Sequence, residues 1–224
     1  MRTTARRART VERCGEAAVV IRATIIDAGT LNATIRFINL SRTPLDLRQD
    51  GNGTTRLEPE RVTRCFVVNV ANPIAVNRVG SNTIFLRFGP QLIRGFSYVV
   101  VAFDTPNGDI RFVTLANTFT PTSGLVGLRV LNVSGLPTGL DVFVTAAGTT
   151  ASAATSAKVL GDSVSAFVSV PAGPTRILLT NTGGTEVVLD IQAELFRAGQ
   201  SATLVVRPPL LGLSVLRSFI VEGC

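Results

Sequence analysis

Histidine and tryptophan are absent from this chain of 224 residues, which also has only one tyrosine and one methionine. Without histidine there is no Ser-His-Asp or Cys-His nucleophilic system, and the commonest zinc and copper ligand sets are excluded. The near absence of Trp and Tyr also disfavours a sugar-binding platform and a stacking surface for single-stranded nucleic acid. We therefore predict no enzyme activity, no catalytic residue, no cofactor and no metal ligand.

The remaining polar residues are weak candidates for chemistry. The only lysine, Lys158, does not follow a glycine-rich phosphate loop, which argues against a nucleotide site. Asp104 and Asp109 flank a Pro-Asn-Gly stretch that is typical of a hairpin turn, with a calcium loop as the alternative. Four other acids could in principle act in pairs as glycosidase carboxylates: Asp162, Glu186, Asp190 and Glu194. Nothing in the sequence brings two of them into one cleft, so we expect them to be surface charges on strands.

Long hydrophobic runs are also missing. No run approaches the roughly 18–20 residues that a membrane-spanning helix needs, and the longest ones, 17–21 and 98–103, have the length of strands. Hydrophobic residues nevertheless make up 46% of the chain. Two explanations of this content stay open, namely contacts between subunits and a large two-domain core.

Basic residues outnumber acidic ones, 22 to 15, and the excess is concentrated at the N-terminus. Five arginines stand there against the single acid Glu12: Arg2, Arg6, Arg7, Arg9 and Arg13. Such an arm can bind nucleic acid or an acidic surface, or it can be a solvated tail. We do not expect nucleic acid as a partner, because the aromatic platform is lacking. Residues 1–16 are expected to be extended or disordered in the free chain.

Export signals are not evident. No apolar segment of signal-peptide length follows the basic start, so a secretory signal is not predicted. Cys14-Gly15 has the form of a mature lipoprotein start, but the preceding Val11-Glu12-Arg13 does not suit that processing site. A position at the cell surface would therefore require another export route.

The three cysteines, Cys14, Cys65 and Cys224, are far apart and form no C-x-x-C pair. An odd number leaves at least one for an intermolecular bond or as a free thiol. We expect Cys14 or Cys224 to bond with Cys65 of a neighbouring subunit in an oxidising compartment. Three reduced thiols in the cytosol are the alternative.

A seven-residue motif occurs twice in the chain. Residues 35–41 (IRFINLS) and 128–134 (LRVLNVS) share the order aliphatic, Arg, apolar, aliphatic, Asn, aliphatic, Ser. Each copy is followed by a Pro and then by an Asp between aliphatic residues, Asp46 and Asp141. A repeat that keeps turn residues as well as apolar ones indicates two copies of one folding unit.

The polar residues of the motif have expected roles. Asn39 and Asn132 should cap turns through local side-chain hydrogen bonds. Arg36 and Arg129 should point outward from their strands or pair with the nearby Asp46 or Asp141.

The similarity between the two copies continues beyond the seven-residue motif. The matching segments are 64–69 with 165–170, 83–88 with 186–191, and 98–103 with 202–207. Short strand-like segments at regular spacing, without any amphipathic helix, predict an all-β protein with two tandem immunoglobulin-like β-sandwich domains. We place the basic arm and a spare strand at 1–30, the first sandwich at 31–120 and the second at 124–224.

The repeated Arg-x-x-Asn-x-Ser motif, the following Pro and Asp, and Pro171-Ala172-Gly173 resemble a bacterial family of domains of unknown function. The resemblance covers about residues 33–222 and is better in the second copy, since the first has Val70-Ala71-Asn72 where Pro-Ala-Gly would fall. It implies tandem β-sandwich domains of secreted or cell-surface proteins. It implies no catalytic residues.

The leading hypothesis is a structural subunit that self-assembles into an extracellular filament or surface layer, with copies of itself as partners. The β-branched segment behind the arm would complete a sheet edge of the next subunit. The residues expected at this joint are Arg13, Cys14, Val19, Val20, Ile21, Ile25 and Ile26. The alternatives are a monomeric ligand- or carbohydrate-binding surface module and a viral coat subunit whose Arg arm binds nucleic acid.

Overall fold

The computed structural model describes residues 32–49, 54–71, 74–82, 84–88, 92–120, 122–136, 138–147, 157–208 and 216–224. These residues form strands and no helix, which confirms the all-β prediction. It follows that no helix in these ranges could cross a membrane. The predicted arm lies outside the described residues, and so do its expected joint residues Arg13, Cys14, Val19, Val20, Ile21, Ile25 and Ile26. Residues 32–120 are called the N-terminal half below, and residues 122–224 the C-terminal half.

The described residues of the N-terminal half form nine strands in two sheets. The strands are β1 (Asn32–Asn39), β2 (Leu45–Gln49), β3 (Thr54–Leu57), β4 (Arg61–Val62), β5 (Phe66–Asn69), β6 (Ile74–Arg78), β7 (Ile84–Phe88), β8 (Ser97–Asp104) and β9 (Ile110–Asn117). Sheet 1 has the order β4-β1-β8-β9, with β5 also paired to β1, and sheet 2 has the order β3-β2-β6-β7. Strands β1 and β8 run parallel, and the other pairs are antiparallel.

The C-terminal half repeats this arrangement. Its strands are β10 (Leu125–Asn132), β11 (Leu140–Ala146), β12 (Ala157–Val159), β13 (Ser163–Val164), β14 (Val168–Pro171), β15 (Gly173–Asn181), β16 (Val187–Phe196), β17 (Ser201–Arg207) and β18 (Arg217–Glu222). Sheet 3 has the order β13-β10-β17-β18, with β14 also paired to β10, and sheet 4 has the order β12-β11-β15-β16. The parallel pair recurs as β10 and β17. The two-residue strands β4 and β13 are among those that the sequence pattern did not indicate.

Each half buries its own apolar core between its two sheets, as in a β-sandwich. Strand β1 shows how the alternation works, because successive side chains point to opposite faces. Ala33, Ile35 and Phe37 belong to the core of the N-terminal half, whereas Arg36 and Ile38 lie on the other face of the strand. The corresponding core of the C-terminal half includes Leu128 and Val130 of β10.

Strand β8 is apolar on both faces, as its continuous run Tyr98–Phe103 predicts. Tyr98, Val100 and Ala102 pack into the core of the N-terminal half. Val99 and Val101 point the other way, into a third apolar cluster that includes residues of both halves. The outer faces of sheets 1 and 3 therefore pack against each other.

Candidate functional site between the two halves

The cluster between the halves is built from equivalent positions of the two motif copies. Its buried members come from β1, β8, β9 and the residues after β1 in one half, and from the corresponding segments in the other: Ile38, Leu40, Val99, Val101, Phe103 and Leu115, with Leu131, Val133, Val205 and Val221. Ile38 corresponds to Leu131, Leu40 to Val133, and Leu115 to Val221. The contact thus has approximate twofold symmetry within one chain.

The two motif arginines bridge the halves reciprocally. Arg36 Nη1 donates to the carbonyl oxygen of Glu222 at 2.7 Å, and Arg129 Nη1 donates to the carbonyl oxygen of Ala116 at 2.8 Å. Ala116 and Glu222 occupy equivalent positions near the ends of β9 and β18. Each half therefore supplies a guanidinium that satisfies a carbonyl on the edge strand of the other half.

Arg129 is the more deeply buried of the two arginines. Only 6% of its surface is exposed, and its Nε donates to Thr203 Oγ1 at 3.0 Å. The guanidinium also lies over the Phe167 ring, 4.6 Å from the ring centre. Burial lowers the pKa of Arg129 to about 10, so the group remains charged at neutral pH.

The strand that pairs with each motif strand explains why the hydrogen bonds of Arg36 differ from those of Arg129. Arg129 lies opposite Thr203 in the β10–β17 ladder, but Arg36 lies opposite Val99 in the β1–β8 ladder. Valine has no hydroxyl group that could accept a hydrogen bond. The Nε atom of Arg36 is accordingly buried without a hydrogen-bond partner among the described residues.

Two further contacts fasten the halves at equivalent places. On one side, the rings of Phe119 and Phe167 pack with their centres 5.4 Å apart. On the other side, a disulfide joins Cys65 to Cys224, with a Cα–Cα distance of 5.7 Å. Ile35 pairs with Phe66 and Leu128 pairs with Val168, so the residue before Phe66 corresponds to the residue before Val168. Cys65 therefore takes the place of Phe167.

This register corrects the sequence alignment of 64–69 with 165–170 by one residue. The hydroxyl of Thr63 accepts a hydrogen bond from the backbone N of Phe37, and the hydroxyl of Ser165 accepts one from the backbone N of Val130. The true counterpart of Ser165 is therefore Thr63 and not Arg64. The sequence match favoured aligning Phe66 with Phe167 because both are aromatic.

An ionic contact crosses the interface at Glu60. Its carboxylate accepts hydrogen bonds from Arg217 at 2.7 Å and from Arg207 at 3.2 Å. The Arg217 hydrogen bond is the main reason why the pKa of Glu60 lies below its ordinary value. Glu60 has a positive φ of 59°, a backbone conformation that is uncommon for a residue other than glycine.

The Asn and Ser residues of the motif shape the turn that follows each strand. Asn39 Oδ1 accepts hydrogen bonds from the backbone N and Oγ of Ser41, at 3.0 and 2.7 Å. Asn132 and Ser134 repeat both bonds, at 3.1 and 2.7 Å. The predicted capping role is confirmed, and both asparagines are fully buried.

The motif arginines do point away from the core of their own sandwich, as predicted, but the predicted pairing with Asp46 or Asp141 is wrong. The other half covers Arg36 and Arg129, and neither pairs with the nearby aspartate. Asp46 lies 3.9 Å from Arg48, and Asp141 accepts a hydrogen bond from the backbone N of Gly183. The sequence signal that was missed is the apolar outer face of β1 and β10, which needs a covering surface.

The predicted use of the cysteines also changes. Cys224 was expected to reach Cys65 of a neighbouring subunit, and the structure pairs these two cysteines within one chain. Because Cys65 is bonded to Cys224, the predicted bond between Cys14 and Cys65 of another subunit would require this disulfide to open. Cys14 itself lies outside the described residues, so any bond that it makes stays a prediction.

Two of the acidic candidates, Asp104 and Asp190, have structural partners. Asp104 accepts a hydrogen bond from the backbone N of Arg42, and its segment turns between β8 and β9. Asp190 accepts two hydrogen bonds from Arg176, at 3.0 and 2.7 Å, and this ion pair lowers the pKa of Asp190. Within the described ranges, no three acidic, His or Cys residues lie together as a metal site would require.

Comparison with known proteins finds likenesses among solved structures and not among family models or curated proteins. No family model matches the chain, and no curated protein matches it. Among solved structures, the chain is similar to the crystal structure of a "putative cell adhesion protein" from Bacteroides uniformis, at 11% sequence identity and a TM-score of 0.30. The match covers 85% of this chain and 96% of that chain. The resemblance to a family of surface domains stays a prediction.

Proposed function

We propose that the protein is a non-enzymatic structural subunit that assembles into an extracellular filament or surface layer. In this proposal the two halves are tandem immunoglobulin-like domains that act as one block, and an N-terminal arm joins each block to the next. The observation that carries the proposal is the Cys65–Cys224 disulfide across the two halves. Disulfides persist in oxidising compartments, which supports a location outside the cytosol.

The interface supports a stiff building block. Apolar packing, reciprocal arginine bonds and a covalent bond all hold the halves together. Interfaces between domains of one chain are often small and polar and permit relative motion. The apolar contact described here, together with the disulfide, resists such motion. A repeating assembly needs subunits whose ends keep a constant orientation.

The joint between subunits would use a strand edge. Strand β16 has ten residues and, among the described residues, pairs with β15 alone. An exposed edge of this kind offers backbone groups to an added strand. The segment Ala17–Ile26 is rich in β-branched residues and suits the added strand. Because the arm and the edge are different surfaces, the contact is head-to-tail and makes an open fibre.

The test compares the full chain with a chain that lacks residues 1–27. We expect polymers of the full chain by light scattering and negative-stain microscopy, and a monomer of the shortened chain. Circular dichroism of the shortened chain checks that its strands are intact. Polymers that persist without the arm would overturn the proposed joint, and a full chain that stays monomeric at all concentrations would overturn the filament.

A Cys14→Ser variant separates strand exchange from covalent cross-linking. We expect this variant to polymerise, because backbone pairing makes the joint, and its polymers should dissociate to monomers in denaturant without reductant. In the unmodified chain Cys14 is the one cysteine outside the Cys65–Cys224 disulfide, so it can link at most two chains under the same conditions. Denaturant-resistant polymers of Cys14→Ser would show that Cys14 is not the cross-link.

A further inference from the structure

A pocket lies between sheets 1 and 2 in the N-terminal half and is open to solvent. It has a volume of about 260 Å³. Leu47 and Ile74 of sheet 2 are buried and form an apolar floor together with the half-buried Phe66 of β5. The other described residues of the lining are polar and form the rim: Gln49, Thr55, Thr63 and Arg64. An apolar floor with a few polar groups is typical of sites for small molecules.

All four polar side chains of the rim are able to donate hydrogen bonds. The hydroxyl oxygen of Thr63 already accepts one from the backbone N of Phe37 at 2.9 Å, so the hydroxyl proton can be donated to another acceptor. Arg64 adds a positive charge, and no acid is among the described residues that line the pocket. A set of donors with one cation favours an occupant that carries negative charge.

Arg64 is exposed and takes part in no ion pair within the described ranges. The two described acids closest to it in sequence already have partners. Glu58 pairs with Arg56, and Glu60 pairs with Arg217 across the interface. The Arg64 guanidinium is therefore open to an anion from solution.

The C-terminal half provides an internal comparison, because the two halves have the same strand pairing. Thr55 lies opposite Leu47 in the β2–β3 ladder, as Ala157 lies opposite Val142 in the β11–β12 ladder. The register gives three rim residues apolar counterparts: Val144 for Gln49, Ala157 for Thr55 and Ala166 for Arg64. Val144 and Ala157 pack against the core of their half. The same fold forms without these polar groups, so folding does not account for their presence in the N-terminal half.

The disulfide fixes one wall of the pocket. Cys65 stands between Arg64 and Phe66 in the chain and is bonded to Cys224 of the C-terminal half. A wall that is held in place before binding loses less conformational entropy when a ligand orders it. The bond that joins the halves therefore also prepares the pocket for a ligand.

We propose that this pocket binds a small organic acid with a compact apolar body. The carboxylate pairs with Arg64, since a guanidinium can bind a carboxylate through two parallel hydrogen bonds. The apolar body covers the floor formed by Leu47, Ile74 and Phe66. Pockets for drug-sized ligands measure roughly 300–1,000 Å³, so a volume of about 260 Å³ suits a smaller molecule. This binding goes beyond the structural role proposed above and does not depend on it.

Saturation-transfer NMR of the full chain with phenylacetate tests the proposal. Phenylacetate joins one carboxylate to one phenyl ring, and its signals are observed whether or not the chain assembles. Arg64→Ala introduces the residue that the other half has at the equivalent position. We expect it to raise the dissociation constant about tenfold or more, because it removes a charge-assisted pair. Arg94→Ala is the matched control and should leave the constant unchanged, since Arg94 is also exposed but does not line the pocket.

Two further measurements isolate the role of the charge. Phenylacetamide has nearly the same shape as phenylacetate without the negative charge. It should bind the unmodified chain more weakly than the acid does, and Arg64→Ala should not change its binding. Asp50 follows Gln49 in the chain and lies outside the described residues, so Asp50→Asn checks whether it already pairs with Arg64. We expect Asp50→Asn to leave the dissociation constant of phenylacetate unchanged.

Each contrary result would overturn the proposal. Phenylacetate that fails to bind at millimolar concentration, or that binds Arg64→Ala as well as the unmodified chain, would reject the site. Equal losses in Arg64→Ala and Arg94→Ala would show only an effect of net charge. Tighter binding to Asp50→Asn would show that Arg64 already has a partner. None of these results bears on assembly, which is measured by the loss of polymers without residues 1–27, so the two proposals fail separately.

Discussion

Arg36 and Arg129 make the same bond in opposite directions. Each guanidinium leaves its own half and donates to the carbonyl oxygen of an edge-strand residue in the other, Glu222 for Arg36 and Ala116 for Arg129. The two bonds are related by the approximate twofold symmetry of the interface. A sequence repeat has thereby become a symmetric contact within one polypeptide.

The arginine pair provides the first prediction. Arg129→Ala should lower the free energy of unfolding by about 1–3 kcal/mol, because it leaves the Ala116 carbonyl without its donor and removes the packing on Phe167. Arg36→Ala should cost less, because Arg36 is partly exposed and a water molecule can replace it. Urea unfolding of both variants measures which one loses more free energy of unfolding. Equal losses, or a greater loss for Arg36→Ala, would contradict the difference in burial.

The contact between Gly127 and Phe119 provides the second prediction. A Cβ atom at position 127 would overlap the Phe119 ring, so Gly127→Ala should lower the free energy of unfolding by about 1–3 kcal/mol through overpacking. In a Phe119→Ala background the same change should have little effect, since the ring is gone. A double-mutant cycle measures this coupling. If Gly127→Ala lowers the free energy of unfolding by the same amount in the Phe119→Ala background, the strain lies in the backbone and not in the contact with the Phe119 ring.

The disulfide between the two halves provides the third prediction. Cys65→Ser and Cys224→Ser, each made with Cys14→Ser, should both lower the free energy of unfolding by about 2–5 kcal/mol, because the bond closes a loop across 159 residues. The loss should be the same for either change and should not double when both are made. Thermal unfolding measures it, and peptide mapping of the non-reduced monomer should recover the linked cysteines. A linkage found only in dimers would contradict the intramolecular pairing.

The dependence of stability on pH in the acidic range provides the fourth prediction. The pKa of Glu60 is held below its ordinary value of 4.5, chiefly by the hydrogen bond from Arg217. The folded protein therefore binds this proton more weakly than the unfolded chain does, so the contribution of Glu60 is complete above pH 4.5 and is lost as the pH falls through the lowered pKa.

Glu60→Gln tests this linkage. It should lower stability at neutral pH by less than about 1 kcal/mol, because the carboxylate is half exposed and its ion pairs are screened by solvent. The difference from the unmodified protein should disappear in acid. Glu58→Gln is the control, since Glu58 pairs with Arg56 of its own half. A Glu60→Gln effect that is constant from neutral to acidic pH would contradict the linkage.

Several features were predictable because they depend on local or periodic information. The strands follow from β-branched runs with alternating or doubly apolar faces, as in β1 and β8. The Asn39–Ser41 and Asn132–Ser134 caps involve residues two positions apart, and their geometry is set by the turn itself. The repeat of these residues indicated two similar folding units.

The amino-acid sequence by itself determined an all-β chain and two matching sets of strands. It also determined apolar outer strand faces, which another surface has to bury. Only the tertiary structure decided what covers them. Arg36 and Glu222 are 186 residues apart, and Cys65 and Cys224 are 159 apart. A side chain on the outer face of a strand carries no information about the surface that will pack on it. That partner is fixed when sheets 1 and 3 meet, because burying both apolar faces together removes more of their surface from water than leaving either exposed.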